Sequence, residues 1–118
     1  MKKIVLTLIS TALITTYSYS LDCINAIDTY SLKECANIDY EKADKKLNET
    51  YKKVMSTLDD EGKELLKISQ RAWIVFRDSN ARFQSDSMRG GTGQGLIHIS
   101  TMTDMTIQRE KELSMNLN

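Results

Sequence analysis

The sequence predicts an all-α fold, a small up-down bundle of three main helices with an N-terminal segment tied on by one disulfide. Three observations carry this expectation. The chain contains no proline. Glycine occurs only at Gly62 and in the run from Gly90 to Gly95, so breakers are too sparse to punctuate a set of strands and hairpins. Between those breakers, apolar residues recur at the three- and four-residue spacing of amphipathic helices. A length of 118 residues supplies one domain, and not two that each bury a core.

The first element is expected to be lost before the domain folds. Met1-Lys2-Lys3 is basic, Ile4 to Thr16 is apolar, and Ser18-Tyr19-Ser20 has small residues flanking one larger residue. That order is a secretory signal, residues 1–20, leaving residues 21–118 as the mature domain. The rival, an uncleaved anchor, is disfavoured because the apolar run is too short to span a bilayer. Asp22 stands where lipidation of Cys23 would require a small residue. Cleavage removes Lys2 and Lys3 and leaves 14 basic against 16 acidic side chains. So balanced a charge excludes a sequence-independent grip on nucleic acid. Cys23 and Cys35 both survive, and in an oxidising compartment such a pair is expected to bond. The closed loop of about 13 residues is worth roughly 3 kcal/mol in the chain-entropy account.

Ser31-Leu32-Lys33-Glu34 has the form of a capping box and predicts a helix start. From Tyr40 onward, Tyr40, Ala43, Leu47, Tyr51, Val54, Met55 and Leu58 share one helical face. Ile38 and Cys35 lie off that stripe, which predicts a break or a change of packing partner near residues 37–40. Asp59-Asp60-Glu61-Gly62 interrupts the chain, and its acids suit the N-terminus of a second helix. On that helix Leu65, Ser69, Ala72, Trp73, Phe76, Asn80 and Phe83 share a face, and Ile68 and Val75 add an apolar flank. So wide an apolar surface predicts a central helix touched from two sides. Met88 to Gln94 reads as a loop, and a last helix is expected from about Leu96 to Leu117, with His98, Met102, Met105, Arg109 and Leu113 in line.

Charged residues within apolar stripes are the candidates for chemistry. Asp44 projects among the apolar residues of the first long helix, Arg109 among those of the last, and Arg77 borders the Trp73 face. A lone buried charge costs several kcal/mol, so Asp44 is expected to pair with Arg77, Arg109 or both as a structural polar network. One carboxylate among arginines lacks the second titrating group of acid/base catalysis, and no catalytic set is assigned. His98 has no second His or Cys nearby in sequence, so neither metal nor cofactor is expected. Gly90-Gly91-Thr92-Gly93-Gln94-Gly95 lacks the Lys-Ser/Thr ending and preceding strand of a phosphate loop.

The residues carry a further signal. Ala43-Asp44-Lys45-Lys46-Leu47-Asn48-Glu49-Thr50-Tyr51 resembles the "AD-x-x-LN-x-x-Y" motif of the LprI-type lysozyme-inhibitor-like family. Gln70-Arg71-Ala72-Trp73-Ile74-Val75-Phe76-Arg77-Asp78 is similar to its "Q-x-x-W-x-x-FRD" motif. Gly90-Gly91-Thr92 resembles its "GGS" element, and Thr106-Ile107-Gln108-Arg109 with Glu112-Leu113 its "T-x-x-R-x-x-EL" element. Cys23 and Cys35 match its leading cysteine pair. The resemblance implies a secreted or periplasmic binding protein that inhibits lysozyme or a related cell-wall hydrolase. The alternatives are a structural or chaperone-like envelope protein without a hydrolase target and, third, an enzyme. Members often carry a second cysteine pair where this chain has Ala81 and Thr101. Its loss implies that the intervening glycine loop is more mobile here than in relatives. Arg89, Gly90, Gly91, Thr92 and Gln94 form the candidate inhibitory loop, slim enough to enter a cleft. Nothing in the pattern sets the oligomeric state.

Overall fold

A computed structural model describes residues 21–118; the expected signal, residues 1–20, lies outside the described residues. Three helices follow in order: α1 from Thr29 to Thr57, α2 from Asp60 to Ser85, and α3 from Gln94 to Ser114. Short 3-10 turns, Asp86–Met88 and Met115–Leu117, follow α2 and α3. There is no strand among the described residues, and the predicted all-α bundle is the fold found.

The start of α1 corrects the sequence reading. Asp28, not Ser31, is the N-cap; its Oδ2 accepts from the Ser31 amide at 2.9 Å. From there α1 continues without a break for 29 residues, about 43 Å at 1.5 Å per residue. Asn37 and Asp39 are weak helix formers, but each costs only about half a kcal/mol, too little to stop a helix with no Gly or Pro in it. Ile38, off the buried stripe, is simply left partly in water.

Two residues join α1 to α2, and Asp59 caps the new helix by accepting from the Gly62 amide at 2.8 Å. Lys33 approaches Gly95, and Thr50 bonds to Glu110, so α1 and α3 run parallel. Arg109 reaches back to Ser69 and Gln70, so α2 runs against both. The order is therefore up, down, up.

The packing of that order is not the one expected. α3, rather than α2, is the helix touched from two sides: it packs along α1 and along α2. Its buried residues toward α1 are Thr103, Thr106, Glu110 and Leu113, while Met105 and Arg109, one position round, bond to α2. Small side chains make this possible. Ala43 and Thr50 on α1, Ala81 and Ser85 on α2, and Thr103 and Thr106 on α3 are all buried, and short side chains let helix backbones approach closely. The apolar core lies at the end opposite the glycine loop, where Leu47, Val54, Leu66 and Leu113 meet, with Tyr51, Met55, Leu58 and Trp73 packed around them. Each such large side chain, fully buried, contributes about 1.5–3 kcal/mol.

Cys23 and Cys35 are bonded. The bond straps residues 21–28 to the first turns of α1. Within that strap Ile24 is 94 % and Ile27 91 % exposed, so the disulfide, rather than burial, holds it.

Candidate functional site

The expected network of Asp44 with arginines does not form. Asp44 accepts from Asn48, one turn along the same helix, at 3.2 Å, and it is only half-buried. A carboxylate at that depth keeps enough water to need no cation. Each arginine finds its partners elsewhere.

Arg77 is 8 % exposed. Its guanidinium lies 5.0 Å from the Trp73 ring centre and 5.8 Å from that of Tyr40; Nε donates to Asp78 Oδ1 at 2.9 Å, and Nη2 forms an ion pair with the same oxygen at 2.9 Å. It thus ties α2 to α1 through a cation between two aromatic faces and a carboxylate, which together replace its lost hydration. Burial holds the Tyr40 phenol above its ordinary value, against the opposing pull of the Arg77 cation. Arg109 joins α3 to α2: Nη2 donates to Ser69 Oγ at 2.8 Å, Nε to Gln70 Oε1 at 3.0 Å, and Nη1 to Glu112 at 3.2 Å. Both arginines are fasteners between helices.

One buried acid escaped the sequence reading. Glu110 is 7 % exposed and accepts from Thr50 Oγ1 at 2.8 Å, with Lys46 Nζ at 3.7 Å. It closes the α1–α3 seam beside an open groove of about 520 Å³ that also includes Lys42, Ala43, Thr103 and Ile107. Glu110 is three residues from Leu113 and four from Thr106; spacing alone marked it, had threonines been allowed to line a core.

The glycine loop occupies the end of the bundle where α2 finishes and α3 begins. Gly90 adopts φ +76°, the left-handed region that a side chain would strain. Its amide donates to Gln94 Oε1 at 3.1 Å. The Arg89 guanidinium grips Asp86 with two bonds of 2.7 Å, and backbone bonds run from Gly91 to Met88 and from Gln94 to Gly91. The loop therefore holds its shape through its own hydrogen bonds. Arg89, Gly90, Gly91 and Thr92 are exposed and Gln94 is partly so; the predicted loop residues are together at one tip. Beneath them a cleft of about 540 Å³ is lined by Lys33, Arg82 and His98. The disulfide-held strap starts from this same end. Of the positions matched to the missing cysteines, Ala81 is fully buried, and the Thr101 hydroxyl donates back to the Ile97 carbonyl at 2.8 Å.

Among the described residues no group of three His, Cys, Asp or Glu is placed to hold a metal ion, and no helix is long and apolar enough to cross a membrane.

Residues 23–113 match the family model described as "Lysozyme inhibitor LprI". The chain is also 32 % identical, over 105 residues, to an uncharacterised protein of Rhizobium meliloti (strain 1021), covering 78 % of this chain and 76 % of that protein. No solved structure matches it.

Proposed function

The chain belongs to the LprI lysozyme-inhibitor family, and from that premise we propose that it acts outside the cytoplasm, in the periplasm or after secretion, by plugging the catalytic cleft of lysozyme or a related peptidoglycan hydrolase with its glycine loop. Such hydrolases work between two carboxyl groups, one acidic and one ionised. A plug needs hydrogen-bond donors and positive charge on a slim segment. The single observation that carries this reading is the loop tip: Arg89 and Thr92 stand exposed on a backbone of glycines that is already folded.

Its internal bonds answer the main physical objection. Ordering a floppy glycine segment on binding would consume affinity, whereas a preformed loop loses little. The Asp86 carboxylate that grips Arg89 in the free protein competes with the target's acids. In the complex Arg89 keeps one edge on Asp86 and offers the rest of its planar fork, which has five donors. The role is binding rather than catalysis: the buried carboxylate Glu110 is engaged by Thr50 and Lys46. The Cys23–Cys35 bond suits an oxidising compartment.

The test is titration of lysozyme activity with the purified exported protein. Wild-type protein is expected to inhibit. Combining Arg89→Ala with Gln94→Ala removes both the loop's donors and the bonds that preform it, and should weaken inhibition at least about tenfold, a loss of roughly 1.4 kcal/mol, with unchanged helical circular dichroism. Full inhibition by the double variant moves the binding site off the loop, and no inhibition by the wild type removes lysozyme as the target.

A further inference from the structure

The outer face of α2 is apolar and faces water. Leu65, Ile68, Val75, Phe76 and Phe83 are each 62–74 % exposed, and Ala72 lies among them, also exposed. The buried residues of α2 (Leu66, Arg77, Ala81 and Ser85) lie on the opposite side. The exposed set recurs at three- and four-residue intervals along about 27 Å of helix, which is the pattern of a helix made to meet another helix. Such a patch, roughly 600 Å² from side chains of this size and exposure, stands at the top of the range for a monomer's surface.

We propose that a second copy of this chain covers this face, α2 against α2, antiparallel and two-fold symmetric about a point near Ile74. Three features favour a copy of the same chain. First, shapes match under that operation: Leu65 falls opposite Phe83 of the other copy, and Ala72 opposite Phe76, so a bulky ring meets the smallest residue of the stripe. Second, the charges match. Glu64, Arg71, Asp78 and Arg82 lie on one flank of the stripe at helical spacing; Lys67 and Arg77 of the same helix each occupy one oxygen of Glu64 and Asp78, and the second oxygen of each carboxylate remains for a partner. The two-fold turns that flank against itself, so that Glu64 faces Arg82 and Arg71 faces Asp78, four complementary pairs in all. A parallel two-fold would place this flank on opposite sides of the pair, so these charges would not meet. Third, two such faces bury roughly 1,200 Å² together, within the range of specific interfaces.

The glycine loop lies beyond the paired stripe at the end of α2, so the dimer carries one loop at each far end. This pairing stands independently of the loop's target.

The experiment measures the molar mass of the purified exported protein by light scattering across a concentration series. A dimer is expected at micromolar concentrations. Phe76→Asp places a charge in the centre of the pair and should raise the dissociation constant at least about 100-fold, with unchanged helical circular dichroism because Phe76 is already exposed in the single chain. Glu64→Arg should weaken pairing, and adding Arg82→Glu should restore it. Under oxidation, chains carrying Leu65→Cys should cross-link to chains carrying Phe83→Cys, and neither to itself. A monomer at 100 µM, a dimer indifferent to Phe76→Asp, or Leu65→Cys chains that cross-link among themselves each overturns the proposal. A monomer whose lysozyme inhibition is abolished by Phe76→Asp assigns the stripe to the hydrolase instead.

Discussion

At the scale of single residues, the interior is held by polar groups that have partners, with one exception among the described residues. Arg77, Arg109 and Glu110 each reach a different helix or its aromatic face, so removing one strands the others only locally. The exception is Thr106. It is 0 % exposed, and its hydroxyl has no hydrogen-bond partner. A buried unpaired hydroxyl costs about 1 kcal/mol or more, whereas a methyl of the same shape costs nothing. Thr106→Val should therefore raise stability by about 1 kcal/mol, read as a higher urea midpoint at an unchanged slope. A lower midpoint would show that the hydroxyl has a partner after all. Sequence inspection points the wrong way at this position, since a threonine in the middle of a helix reads as solvated.

At the scale of elements, the starts of α1 and α2 are each set by one carboxylate, that of α3 follows Gly93 with no side-chain cap, and the packing faces are set by side-chain size. Asp59 is the cap that separates α1 from α2. Without its oxygen the Gly62 amide loses its acceptor, and Asp59→Ala should cost about 1 kcal/mol, whereas Asp59→Asn should keep most of it. Chemical denaturation of the two variants side by side checks this. The start of α1 was misplaced from sequence because Asp28 and Ser31 are both good capping residues three apart. The choice between them rests on whether Thr29 and Tyr30 join the helix, which their own propensities leave nearly balanced. The extent of α2 and the position of the loop, by contrast, were legible, because glycines and a cluster of acids bracket them.

At the scale of the whole molecule, the disulfide and the core do separate work. The strap from residue 21 to 28 contributes no buried residue, and the large apolar residues meet at the opposite end. Reduction of Cys23–Cys35 should therefore lower the unfolding free energy by no more than about 3 kcal/mol. It should leave Trp73, the sole tryptophan, with unchanged emission at room temperature. A red shift of that emission on reduction would show that the strap supports the core directly. The loop, the strap and the cleft lined by Lys33, Arg82, Asp86 and His98 share one end, and the outward stripe of α2 runs along one side. The molecule thus separates a stable far end from an end built of loops.

The sequence by itself determined the number and order of the helices, the disulfide and the place of the glycine loop. These depend on local matters: breakers, caps, spacing and an even cysteine count. Only the tertiary structure decided which helix stands in the middle and which charges meet. The apolar width of α2 pointed to a central position, yet α3 takes it, with Thr103, Thr106 and Glu110 turned inward and Phe76 and Phe83 left outside. Hydrophobicity measures how much a face gains by leaving water, and α2's outer face gains as much from another chain as from its own. Closeness of approach is a different quantity, set by the small side chains of α1 and α3, and it becomes visible only when two helices are laid against each other.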